Sequence, residues 1–146
     1  ADLFAGCGTF ALPLARAVPV HAVEAAAALT AALDHAMRYA TGLKALTVET
    51  RDLFRRPLLP AELARFDGIV IDPPRAGAEA QVAQIVTAQI PRVAMVSCNP
   101  VTFARDAALL IQGGYRLNWV QPVDQFRWSP HVELAASFTL PHLSPV

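Results

Sequence analysis

An α/β fold built on a mostly parallel sheet, with an antiparallel pair at its C-terminal edge, is what this sequence predicts. Three observations carry the prediction. Short apolar runs alternate with helical stretches along most of the chain. Residues 66–72 form a nearly continuous apolar run, as a central parallel strand requires. Two β-rich stretches, residues 115–123 and 131–140, lie too close together for a crossover helix and should pair antiparallel.

Taken in order, Asp2, Leu3 and Phe4 read as the end of a first strand. The abrupt start predicts a fragment of a longer protein, cut at or inside that strand. The turn Ala5-Gly6-Cys7-Gly8 follows, then a helix over residues 9–17. A second strand over residues 18–23 ends in Glu24, and an alanine-rich helix over residues 26–41 stops at Gly42. Residues 45–49 make a third strand, followed by Arg51-Asp52-Leu53-Phe54. Prolines at 57 and 60 break the alternation, and residues 61–65 allow one helical turn. Pro73-Pro74 ends the central strand. A helix over residues 79–89 leads to a strand over residues 92–97 and a helix over residues 102–111, closed by Gly113-Gly114. Residues 141–146 read as a loose tail.

The chain of 146 residues suffices for one domain with a real core. No stretch approaches a membrane span and no secretory leader pattern is present. Two cysteines far apart in sequence make neither a disulfide framework nor a metal-ligand pair, so no metal site is expected and a reducing, cytoplasmic setting is the default. Twelve basic and twelve acidic residues give zero formal net charge. Polynucleotide binders normally carry a basic excess, so any grip on RNA would have to come from a local patch or another domain.

Four strings carry chemistry. In the first, the glycine turn between strand and helix lets backbone approach a nucleotide, and Glu24, sixteen residues after Gly8, stands where a ribose hydroxyl pair would be held. The third glycine of dinucleotide enzymes is missing. In the second, Asp72-Pro73-Pro74-Arg75-Ala76-Gly77, two prolines fix Asp72 at the carboxyl edge of the sheet. An ordinary turn with an Asp72–Arg75 ion pair would use the same residues. The third is Val96-Ser97-Cys98-Asn99-Pro100. Asn99 suits an N-cap and Pro100 a first helical position. A thiol just ahead of a helix N-terminus sits in a field that favours the thiolate, although free cysteine also fills strand ends as a small apolar residue. In the fourth, Glu133 opens a largely apolar strand, either as an edge gatekeeper or as a functional carboxylate. His131, two residues earlier, would share its face or look to solvent.

Together DLFAGCGTF, Val23-Glu24, RDLF, DPPRAG, SCNPVTFARD and HVE resemble, in order, the RNA uracil-5-methyltransferase family. The resemblance implies a Rossmann-like class I fold dependent on S-adenosylmethionine (SAM), with residues 1–146 as the SAM-binding catalytic domain. It implies that Phe4, Ala5, Gly6 and Gly8 line the SAM site, that Glu24 holds the ribose and that Asp52 lies beside the adenine. Asp72 would stand at the SAM–uracil junction and serve both ligands. Cys98 would be the nucleophile on uracil C6 and Glu133 the general base, with Arg75, Asn99 and His131 as weaker candidates for substrate contact. RNA, ribosomal or transfer, is the implied partner, with no obligate protein partner. The RNA-binding module, and an iron–sulfur cluster where one exists, would belong to a missing N-terminal part, so the fragment alone is expected to be inactive.

Arg127 and Ser129 stand near places where the family carries a proline and a threonine, which predicts a different local loop. Two other readings remain open. A cytosine-5 RNA methyltransferase uses the same addition, but Asp72-Pro73-Pro74-Arg75 lacks the Pro-Cys of those enzymes. A non-catalytic SAM- or nucleotide-binding module would need neither Cys98 nor Glu133.

Overall fold

The computed structural model describes residues 1–124, 128–129 and 131–141; Arg127 and residues 142–146 of the expected 141–146 tail lie outside them. The chain divides into two units, Ala1–Arg56 and Pro57–Val146.

The first unit is a three-stranded parallel sheet with two helices. Strand β1 (Asp2–Leu3) pairs with β2 (Val20–Glu24), and β2 pairs with β3 (Leu46–Thr50) in the register Val20↔Leu46 to Glu24↔Thr50. Helix α1 (Ala11–Ala15) is shorter than the predicted residues 9–17, because residues 5–10 are spent on the turn, where the Gly8 N–H donates to the Ala5 carbonyl. Pro13 costs α1 nothing: it is the third helical residue, whose N–H would have no intrahelical acceptor. Helix α2 (Ala27–Tyr39) ends two residues short of the predicted Thr41, with Ala40 already extended and Gly42 at φ 74°. Thr30 fastens it to β3 through a 2.9 Å hydroxyl contact with Thr50. Ala11, Ala15, Val20, Ala22, Leu33 and Leu46 form this unit's core.

In the second unit, β4 (Ile69–Ile71) pairs parallel with β5 (Arg92–Ser97), β5 antiparallel with β7 (Glu133–Thr139), and β7 antiparallel with β6 (Arg116–Val123). The predicted antiparallel pair is therefore present, and β7 lies between β5 and β6. The run at residues 66–72 yields a ladder of only three residues, since Phe66 is taken up by the turn that closes α3 (Pro60–Leu63), donating its N–H to the Leu63 carbonyl. Helix α4 (Glu79–Ala88) stops at Gln89, which adopts the left-handed conformation at φ 56°. Helix α5 (Pro100–Gln112) begins two residues before the predicted range of 102–111, at the Asn99 cap and Pro100 first position that suited it, with the Asn99 side chain accepting from the Val101 N–H at 3.1 Å. The alternation along β7 buries Leu134, Ala136 and Phe138 on one face. Tyr115, just before β6, donates its hydroxyl to the Ile90 carbonyl at 2.7 Å, and burial pushes its pKa up to about 12. Among the described residues no helix is long and apolar enough to cross a membrane.

Gly8 shows how closely the first unit packs. It sits at φ 97°, and a Cβ there would strike Leu33 Cδ1 on α2. Gly8→Ala is expected to lower stability by about 2–4 kcal/mol, combining left-handed strain with overpacking. A denaturant midpoint unchanged from the parent would contradict that packing.

Candidate functional site

Parallel pairing brings the carboxyl ends of β1, β2 and β3 to one edge of the first unit. At that edge stand Phe4 with the glycine turn after β1, Glu24 as the last residue of β2, and Asp52 just after β3. Glu24 is held from two sides. Its carboxylate accepts the Gly6 N–H at 3.0 Å and the Ala26 N–H, at the start of α2, at 2.8 Å. A negative group at a helix N-terminus is favoured by the helix dipole, so Glu24 is both fixed and stabilised. Gly6 sits at φ 56° with no heavy atom within 4 Å of where a Cβ would stand. The two glycines therefore differ: Gly8 makes room for α2, and Gly6 leaves backbone bare beside a carboxylate. Asp52 folds its own turn, its Oδ1 accepting from the Phe54 N–H at 2.9 Å and the Arg55 N–H at 3.3 Å. Phe4 is a non-glycine residue at φ 62°, a conformation that costs energy and is kept where surroundings impose it. Its ring packs on Phe54, centroids 5.4 Å apart, and Phe54 is half exposed. Nothing in the sequence singles out Phe54, since an aromatic after a strand serves a core equally well.

The second unit gathers the remaining candidates at one sheet edge. Ile71 pairs with Met95, so Asp72 follows beside Val96; Ser97 pairs with Leu134, so the next step sets Cys98 opposite Glu133. Asp72 and Cys98 come directly after β4 and β5, and Glu133 opens β7, so the three stand at one end of the second unit's sheet. A gatekeeper role for Glu133 does not fit, since β7 has a strand on each side. Cys98 is partly exposed. The Asp72 carboxyl is pushed above the usual aspartate range, by burial first and by the Glu133 charge second. The two carboxylates are thus electrostatic neighbours.

That shift has a measurable sign. The folded state retains the Asp72 proton at pH values where the unfolded chain has lost it, so stability falls as pH rises through this window and the loss persists at neutral pH. Asp72→Asn is expected to melt at the same temperature as the parent or higher at pH 7. The difference should shrink below the ordinary aspartate range, where both states are protonated. A clearly lower melting temperature at pH 7 would contradict the buried charge.

Arg75 turns to His131 rather than serving only its own loop. Its Nη1 lies 3.2 Å from His131 Nδ1, and because a guanidinium only donates, Nδ1 accepts and Nε2 carries the proton. His131 precedes β7 and is exposed. Asn99 reaches the same loop: its Nδ2 donates to the Arg75 carbonyl at 2.9 Å, and the Thr102 hydroxyl donates to that carbonyl at 3.1 Å. Arg105 donates to the Ala76 carbonyl at 3.1 Å, and the buried Asp106 accepts the Ala78 N–H at 2.7 Å. Gly77 sits at φ 76°, where a Cβ would strike Arg105 and Asp106. The sequence held a sign of this: positions 99, 102, 105 and 106 fall on one face of a helix. Among the described residues no group of three or more His, Cys, Asp or Glu is placed to hold a metal ion.

A family model described as tRNA (uracil-5-)-methyltransferase matches residues 1–139. An RNA methyltransferase of Mesorhizobium japonicum, described as uncharacterized, is 61% identical over 97% of this chain and 34% of its own length. The 23S rRNA (uracil(1939)-C(5))-methyltransferase RlmD of Pseudomonas fluorescens is 42% identical over 94% of this chain and 31% of its own. The chain thus spans about a third of the length of the curated relatives it matches. Among solved structures, the Pyrococcus abyssi tRNA (uracil-54, C5)-methyltransferase in complex with S-adenosyl-L-homocysteine aligns with a TM-score of 0.80 at 29% identity, over 94% of this chain and 33% of that one. Magnesium protoporphyrin IX methyltransferase from Synechocystis, at 13% identity and TM-score 0.71 over 96% of this chain and 68% of that one, shares the fold. The α/β, Rossmann-like methyltransferase fold predicted from the sequence agrees with these likenesses.

Proposed function

Because the chain belongs to the tRNA (uracil-5-)-methyltransferase family, we propose that the full-length protein methylates C5 of a uridine in RNA, with Cys98 as nucleophile and Glu133 as general base. The observation that carries this reading is the sharing of one sheet edge by Asp72, Cys98 and Glu133, with the two carboxylates in electrostatic contact.

The residues of the first unit fit SAM. Gly6 leaves open backbone beside Glu24, whose anchored carboxylate suits a ribose hydroxyl pair. Phe4 with the Ala5–Gly8 turn would line that site, and Asp52 would reach the adenine. When bound, SAM supplies an electrophilic methyl group on sulfur.

C5 of uracil is a weak nucleophile. The Cys98 thiolate adds to C6, and the electron pair of the C5–C6 double bond moves onto C5 and O4, which makes C5 reactive towards a methyl donor. Asp72, easier to protonate than a free aspartate, is suited to donating a hydrogen bond to the uracil edge as charge builds there. Glu133 then takes the C5 proton, the C5–C6 double bond re-forms, and the bond to Cys98 breaks. The base must leave its stack for Cys98 to reach it. Arg75 and His131 stand at the same edge for contact with the nucleotide.

RNA as partner and a cytoplasmic working place belong to this proposal. The zero net charge supports assigning most of the RNA grip to other parts of the full-length protein. The test is nucleoside mass spectrometry of RNA incubated with full-length protein and methyl-labelled SAM. Label in 5-methyluridine is expected; label in 5-methylcytidine, or none, would overturn the reading.

A further inference from the structure

Pro73 and Pro74 have no N–H, so the loop after β4 cannot pin itself at those positions by donating hydrogen bonds. At Arg75 and Ala76 it offers carbonyls, and α5 and its cap meet them with donors. The Arg75 carbonyl accepts both Asn99 Nδ2 at 2.9 Å and the Thr102 hydroxyl at 3.1 Å. Asn99 is also the cap of α5 and the residue next to Cys98, so the amide that starts the helix also grips the loop. The Thr102 hydroxyl also lies 3.2 Å from the Asn99 carbonyl, so its single proton is shared between the loop and the first turn of α5.

We propose that Asn99 and Thr102 are positioning residues that hold the Asp72–Arg75 loop in register with Cys98 through their shared grip on the Arg75 carbonyl. This rests on the reading of Cys98 as nucleophile and adds a role to Asn99 that direct substrate contact does not require. With its carbonyl fixed, Arg75 presents its guanidinium to His131, and Asp72 is kept from drifting along the strand away from Cys98. A cap alone would need only the Asn99 Oδ1; the loop needs Nδ2.

Three variants of the full-length enzyme separate these roles. Asn99→Asp keeps an excellent cap but sets a carboxylate oxygen against the Arg75 carbonyl. Thr102→Val removes the hydroxyl at constant shape, and Thr102→Ser restores it. Asn99→Asp and Thr102→Val are each expected to lower kcat by about 10- to 100-fold at unchanged KM for SAM, the effect of small misplacement. Thr102→Ser should recover most of the loss. Amide exchange at Gly77, whose N–H donates to the Pro74 carbonyl, should quicken in both deficient variants. Parent-like kcat in both, or a Thr102→Val loss that serine fails to repair, overturns the proposal. If Asn99→Asp does not fold, the Thr102 pair decides. If the parent methylates no uridine, the functional reading falls, yet exchange still judges the grip: parent-like protection of Gly77 in Thr102→Val overturns it, and faster exchange upholds it.

Discussion

Full-length protein carrying Cys98→Ala is expected to form no covalent complex with 5-fluorouridine RNA and to lose methyl transfer by about 10⁴-fold or more, the scale on which nucleophile removal acts. Fluorine at C5 cannot leave as a proton does, so the parent should stall as a Cys98–C6 adduct that survives denaturing electrophoresis. Alanine removes the proposed attacking atom and little else, because Cys98 is partly exposed and precedes a helix capped by Asn99. Stability should therefore stay within about 1 kcal/mol of the parent, in contrast to a buried cysteine filling the core. The other cysteine supplies the control. Cys7 is exposed in the glycine turn of the first unit, and Cys7→Ala should leave the adduct intact. A Cys98→Ala enzyme that turned over normally would sink the covalent mechanism. Loss of adduct in the Cys7 variant alone would transfer the role.

Much of this fold was legible because local and global signals agree. Residues 92–97 form the predicted strand to the residue, and Asn99-Pro100 starts α5 as its cap chemistry dictates. Boundaries failed where turns competed with periodicity, as at Phe66 and in the turn before Ala11, since an apolar residue serves a turn or a ladder equally well. Long-range pairing was harder to read. The sequence placed two β-rich stretches together but did not show that β7 inserts beside β5, which is what carries Glu133 to Cys98. Buried polar residues were the least visible. Gln81 reads as the solvent face of α4, yet its amide accepts the Leu58 N–H at 2.8 Å and donates to the Leu58 carbonyl at 3.2 Å. Asp106 reads as a surface acid, yet it is buried and binds the Ala78 N–H beside Arg105. Such side chains serve backbone distant in sequence: periodicity puts Asp106 on one helix face with Asn99, Thr102 and Arg105 but does not name the backbone it binds, and for Gln81 it gives no sign at all.

Glu133→Gln should produce the opposite signature from Cys98→Ala: with ordinary uridine RNA, a covalent protein–RNA complex accumulates while turnover falls by about 10²- to 10⁴-fold. The amide is nearly isosteric and fills the same place at the start of β7, but it cannot take the C5 proton. Addition and methylation precede that step, so the RNA in the trapped complex should already carry the methyl label. The variant also removes the charge that helps to raise Asp72. If Asp72 shapes the rate, the limb of the pH profile that reports it should move to lower pH, while a simple loss of a base would leave it in place. Cys98→Ala combined with Glu133→Gln should abolish the complex, tying its formation to that one sulfur. Should Asp72→Asn trap methylated RNA while Glu133→Gln turns over freely, the proton leaves through Asp72 and the two carboxylates exchange roles. Since both flank Cys98 at one edge of the sheet, this pair of trapping measurements assigns the base.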